Sequence, residues 1–323
     1  LVFPRDHGAH PGYRIEWWYV TANLEDAQHR PFGVQWTLFR YQTRPDSASD
    51  EENAWQSRQL FMAHFAVTTP TGHHAFQRYA RGGLHGDIAQ AGASAEPFAA
   101  WLDDWTLASA GDEWLPLALS ARAGPVAVAL DLTAKGPTVL NGESGFSQKH
   151  PSGGGSYYYS QPFLGVTGQL SIDGETYLVT GDAWLDREWS SQFLQADQAG
   201  WDWLAVHLES GEKLMLFRLR GREDSNTSGD YVYGSLIRAD GSQHVLDQSA
   251  IEMNALAFDT IAGRRLPLHW RIELPTLERV LDVTALHPEQ WMDLDYPYWE
   301  GVVRVEGASP GTRGRGYLEL TGY

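Results

Sequence analysis

The sequence predicts an all-β protein built from two successive antiparallel meanders, closed as barrels or sandwiches. Three observations predict it. Segment after segment alternates apolar and polar residues with period two, which is the spacing of a strand and not of a helix. Glycine, 33 of 323 residues, punctuates these segments as turns. A Pro/Gly-rich break, "KHPSGGGSYYYSQ" (149–161), is followed by a second half that replays the first.

In chain order, "IEWWYVTANLED" (15–26) places Glu16, Trp18, Val20, Ala22 and Leu24 on one face and Trp17, Tyr19, Thr21 and Asn23 on the other. "FGVQWTLFRYQ" (32–42) returns after a short polar break, as a hairpin does. "QLFMAHFAVTTPTGHHAFQRYAR" (59–81) reads as strand, turn at Pro70 to Gly72, strand. Further strands are expected in "DDWTLASA", "LPLALSARAG", "VAVALDLTAK" and "TVLNGESGFS". The stretch 91–102, "AGASAEPFAAWL", reads as a helix kept short by Pro97. Gly153 to Gly155 read as a flexible connector, which sets the domains at 1–150 and 156–323. The replay aligns 18–26 with 164–174 and 62–81 with 204–222, putting His64 and His207 in equivalent strands.

Composition excludes several function classes. With 41 acidic residues against 24 Lys plus Arg, the net charge is -17, a field that repels nucleic-acid backbones and anionic lipid. No apolar run reaches the roughly 20 residues of a membrane helix. The absence of cysteine removes disulfides, thiol catalysis and thiolate metal sites. There is no G-x-S-x-G elbow, P-loop or H-E-x-x-H, and the histidine spacing specifies no metal, so neither cofactor nor metal is expected.

What remains is carboxylates among indoles. "EWWYV" (16–20) sets Glu16 beside Trp17, Trp18 and Tyr19. "TGDAWLDREWSSQF" (180–193) puts Trp184, Asp186, Glu188 and Ser190 on one face of an extended chain, opposite Arg187 and Trp189. "GWDWLAVHL" (200–208) alternates Trp201, Trp203, Ala205 and His207 against Asp202, Leu204 and Val206. Desolvation by indole raises a carboxyl's pKa and readies it as a general acid, while a neighbouring Arg pulls the other way. The competing reading is a structural network in which Asp186, Arg187 and Glu188 knit the two halves together. His64 and His207 read as core histidines or as site residues, and Tyr159 of "YYYSQ" as cavity wall or packing.

Three blocks carry a family resemblance: "FPRDHGAHPGYRIEWWYVTANL", "GDAWLDREWSSQF" and the closing "YPYWEGVVRVEGASPGTRGRGYLELTGY". They resemble the AttH-like proteins, labelled predicted secreted hydrolases and related to carotenoid 1,2-hydratase, kievitone hydratase and several Diels–Alderases. The resemblance implies two tandem lipocalin-like barrels and a periplasmic or secreted location, with an export signal outside these residues. The carotenoid hydratases carry roughly Asp-His-Asn-Trp where this chain has Asp186-Arg187-Glu188-Trp189. Asp186 and Trp189 match, while Arg187 replaces the histidine thought to matter there.

The expected function is therefore a hydratase, lyase or hydrolase that binds a hydrophobic small molecule. Asp186, Glu188 or Glu16 would act as acid or base, and Trp184, Trp189 and Trp203 would stabilise positive charge. Trp17, Trp18, Tyr19, Arg187, His207, Tyr159 and His64 would complete the ligand site. The alternative is a carrier that holds a hydrophobic ligand without chemistry.

Overall fold

The alternating segments pair into two antiparallel sheets in the computed structural model, which describes residues 1–43, 58–82, 90–192, 194–222 and 229–323. The first sheet holds β1 (Ile15–Asp26), β2 (Pro31–Gln42), β3 (Gln59–Thr68), β4 (His73–Arg81), β5 (Ala91–Ala95), β6 (Phe98–Leu102), β7 (Trp105–Ser109), β8 (Leu117–Ala123), β9 (Val126–Ala134), β10 (Val139–Leu140), β11 (Phe146–Gln148), β12 (Gly155–Ile172) and β13 (Glu175–Ser190). The second holds β14 (Gln198–Leu208), β15 (Lys213–Gly221), β16 (Tyr231–Ile237), β17 (Gln243–Leu246), β18 (Glu252–Ile261), β19 (Arg264–Leu274), β20 (Arg279–Ala285), β21 (Trp291–Met292), β22 (Tyr298–Gly307) and β23 (Gly314–Leu320).

The main path of the first sheet runs β4-β3-β2-β1-β13-β12-β9-β8-β7-β6-β5. A bridge between Gly82 and Ala91 draws its two edges together, so this sheet curls nearly into a barrel, while the second forms a half-barrel. The second runs β17-β16-β15-β14-β23-β22-β20-β19-β18. In each sheet the first strand of the unit lies between the second and the last: β1 between β2 and β13, β14 between β15 and β23. The duplication is therefore visible as topology.

Its boundaries differ from those expected. The first sheet continues through 155–190, and the chain passes to the second between Ser190 and Gln198, not at 149–156. The glycine run is the turn of a hairpin whose strands β11 and β12 pair, with Gly153 and Gly154 at φ of 94° and 83°. Glycine suits that backbone, and this also makes the segment look like a linker in sequence. The proposed replay shifts accordingly. His207 lies on β14, the first strand of its sheet, and His64 on β3, the third of its own, so the two are not equivalent. Likewise 164–174 falls mainly on β12, which is not the counterpart of β1.

The expected helix at 91–102 is the hairpin β5–β6. Phe98, Ala100 and Leu102 are buried while Ala99 and Trp101 are less so, a period of two that the small residues disguised.

Two apolar cores fill the interiors. Trp18, Val20, Trp36, Phe65 and Trp105 belong to the first, and Leu204, Val206, Trp270 and Trp299 to the second. A third layer, including Tyr19, Tyr158, Trp184, Trp203 and Tyr317, lies between the sheets. The first sheet is thus covered on both faces around β1 and β13, and a cavity opens in that middle layer. Among the described residues no helix is long and apolar enough to cross a membrane.

Candidate active site between the two sheets

Strand register builds the site. On the first sheet, Ser160, Asp186, Tyr19, Thr37 and His64 stand in successive Cα register across β12, β13, β1, β2 and β3. Two residues along, Tyr158, Glu188, Trp17, Phe39 and Met62 form a second row. On the second sheet, Glu300, Glu319, Trp203 and Phe217 form a row across β22, β23, β14 and β15. Side chains directly opposed in such rows lie within about 5.5 Å at Cβ. These rows enclose a cavity of about 380 Å³, whose walls also include Lys149, Trp201 and Tyr298.

Asp186 is the best-held acid in the wall. Tyr158 donates to its Oδ2 at 2.7 Å, and Trp184 Nε1 (2.6 Å) and the Ser160 hydroxyl donate to its Oδ1. Burial raises its pKa to about 7, against these three donors and with a further push from Glu188. A carboxyl poised near neutrality both gives and takes a proton. Glu188 accepts from Ser156 and pairs with Lys149 at 3.2 Å.

The opposite wall carries two acids that sequence reasoning missed. Burial and the neighbouring Glu319 push Glu300 well above the carboxylate range, and Tyr19 donates its hydroxyl to it. Glu319 accepts from Trp201 Nε1 at 3.0 Å. Burial raises it to about 7, with Asp186 and Glu188 adding to the shift. Their signal in sequence was faint, a lone Glu in each of the apolar runs "YWEGVV" and "YLELTG". His64 reaches the cavity from β3, sharing a 2.9 Å hydrogen bond through Nδ1 with the Tyr298 hydroxyl, and burial lowers it to about 4.

The expected site residues divide by face. Asp186, Glu188, Trp17, Tyr19, Trp203 and His64 line the cavity. Trp184 stands behind the wall as a donor to Asp186. Glu16, Trp18, Arg187, Trp189 and Tyr159 point away from the cavity, because the period-two alternation that brings Trp17 and Tyr19 to it sends their neighbours to the other face. There Glu16 is bound by Arg40 and Arg187, all three fully buried. Burial would raise its pKa, but Arg187, His10 and Arg40 bring it down to about 2. The Arg187 guanidinium lies 3.9 Å over Trp18, and Trp189 stacks on His10 at 3.9 Å. Tyr159 shares a 2.6 Å hydrogen bond with His7. This is a structural plug, and Glu16 is not placed to act as the site's acid. His207 is buried beyond Trp184, 6.1 Å between ring centroids, and does not line the cavity. "EWWYV" and "DREWS" (186–190) lie on neighbouring strands of one sheet, with Trp17 opposite Glu188 and Tyr19 opposite Asp186.

The AttH-like family model matches residues 1–323. The chain belongs to the AttH-like family. A crystal structure of an AttH from Nitrosomonas europaea is 35% identical to this AttH-like chain, covering 100% of it and 97% of that protein, with a TM-score of 0.86. Kievitone hydratase from Nectria haematococca shares the fold at a TM-score of 0.71 and 16% identity, over 99% of this chain and 93% of that one. CghA, solved with Sch210972, does so at 0.59 and 13%, over 97% and 90%. No curated protein shows significant similarity to this AttH-like sequence.

Proposed function

We propose that the protein is a hydratase-type lyase that adds water to an alkene of an apolar small molecule held between the two sheets. The observation that carries this reading is Asp186, a carboxyl with a pKa raised to about 7 in the wall of an aromatic cavity. Protonated Asp186 transfers its proton to one alkene carbon, and the electron pair of the π bond forms the new C–H bond. The cation left on the other carbon faces the rings of Trp17, Trp203 and Tyr19. Water attacks that carbon, and its surplus proton passes to Glu319 or Glu188, leaving an alcohol. Solvent then restores the proton to Asp186. Kievitone hydratase, a neighbour in fold, is named for this class of reaction.

The test is a panel of isoprenoid and polyene alkenes with neutral, acidic and basic head groups, incubated in D2O. Products heavier by one water and deuterated at carbon are expected, and Asp186→Asn should lower turnover by roughly two to four orders of magnitude while binding changes little. Saturable binding without product across the panel would replace this reading with that of a carrier.

A further inference from the structure

The cavity wall already holds one cation. Lys149 Nζ lies 4.0 Å from the Phe217 ring centre, 4.8 Å from that of Tyr158 and 3.2 Å from Glu188 Oε1. An ammonium is thus held by a carboxylate and two aromatic faces, the combination that recognises ammonium groups generally. The far side of the cavity repeats these ingredients without a cation from the protein. Glu300 and Glu319 face one another in register on β22 and β23, and both line the cavity. Among the described residues no Lys or Arg acts on either carboxyl. Glu300 is 1% exposed; the hydroxyls of Tyr19 and Tyr298 act on its carboxyl, and its Oε2 makes no direct hydrogen bond. Tyr19, Trp201, Trp203 and Tyr298 supply the rings.

We propose that this second box of Glu300, Glu319 and aromatic faces binds a positively charged head group, so that the preferred ligand is an apolar molecule bearing a protonated or quaternary amine. The inference rests on the cavity described above as the ligand site. Two buried acids in mutual repulsion gain from a counter-ion in a way that they do not from a neutral group, and the ring faces add to the attraction. Among the described wall residues, a carboxylate or phosphate head group would instead meet four acids, with the one lysine there already engaged by Glu188. The same field favours the cation formed during alkene protonation, so an amine also mimics that intermediate.

Octyltrimethylammonium, octanol and octanoate, each below its micelle concentration, share one tail and differ in charge. Quenching of tryptophan fluorescence, to which Trp201 and Trp203 contribute, reports their affinities. Octyltrimethylammonium is expected to bind at least about ten-fold more tightly than octanol, and octanoate more weakly than either. Glu300→Gln combined with Glu319→Gln should bring the ammonium compound to the affinity of octanol while octanol itself changes less than about two-fold. Equal or tighter binding of octanol or octanoate by the wild-type protein overturns the inference, whatever the variant does. So does an undiminished ammonium preference in a double variant that melts normally. The hydratase reading is judged separately: ammonium preference with no hydration of any alkene leaves this inference and removes that reading. Hydration without the preference does the reverse.

Discussion

Two acids one strand apart, Asp186 and Glu16, show how a residue's face decides its chemistry. Asp186 is buried among neutral donors and rises to about 7, while Glu16 is buried among arginines and falls to about 2. Their contributions to stability therefore run in opposite directions with pH. An exposed aspartate titrates near 4, so the folded state holds the Asp186 proton more tightly. That contribution is present in full below about pH 4 and is lost as the pH rises through about 7. Glu16 contributes above an unfolded pKa of roughly 4.3, and this is lost as the pH falls towards 2. Tm measured from pH 3 to pH 9, a range of about six units, should accordingly fall at both ends. Asp186→Asn should reduce the alkaline slope, with Glu319 and Glu300 contributing to the remainder, and leave the acid limb unchanged. Glu16→Gln should cost on the order of 3–5 kcal/mol near neutrality, because Arg40 and Arg187 lose their buried counter-charge. A Glu16→Gln variant of unchanged Tm would remove the structural plug as an explanation.

At the scale of the strand, alternation was legible and pairing was not. The sequence already separates Trp17 and Tyr19 from Glu16 and Trp18, and Asp186 and Glu188 from Arg187. It does not say which face meets the cavity, because both faces of β1 and of β13 from residue 183 on are buried and the usual apolar–polar contrast is missing. Nor does it reveal that Glu300 and Glu319 are neighbours, since that depends on the register of β22 with β23. The all-β class was readable from period and turns, whereas the glycine turn at 153–154 imitates a linker and the Ala-rich hairpin at 91–102 imitates a helix. Glycine has a different use at position 33 in β2, where the second sheet packs closely. A Cβ there would stand 2.3 Å from both the Tyr317 hydroxyl and Val302 Cγ2. Gly33→Ala should destabilise the protein by roughly 1–3 kcal/mol through this overpacking. Thermal unfolding that matches the wild type would show that Tyr317 moves aside without loss.

The whole molecule is a topological repeat with its candidate site at the seam. Each sheet packs on its own apolar core, and the middle layer joins them. The repeat was sensed in the sequence, but its phase was misread: β12 and β13 lie after the glycine turn, yet complete the first sheet. A pocket placed inside a barrel can exchange its contents only through the barrel mouth or by disturbing the barrel's core. One placed between two separate cores can open by a shift of one sheet against the other, with the strand hydrogen bonds on either side intact. On the proposed function, ligand entry and release therefore belong to a faster class of motion than unfolding. Amide hydrogen exchange with octyltrimethylammonium absent and present should show strong protection in β1, β13, β14 and β23 in both cases, with binding altering exchange chiefly at the 149–154 turn. Strand amides of β1 or β13 that become protected only on binding would mean that the first sheet itself opens to admit the ligand. With the pocket outside both cores, the residence time of the proposed ligand is set by the contacts of the thin layer between them.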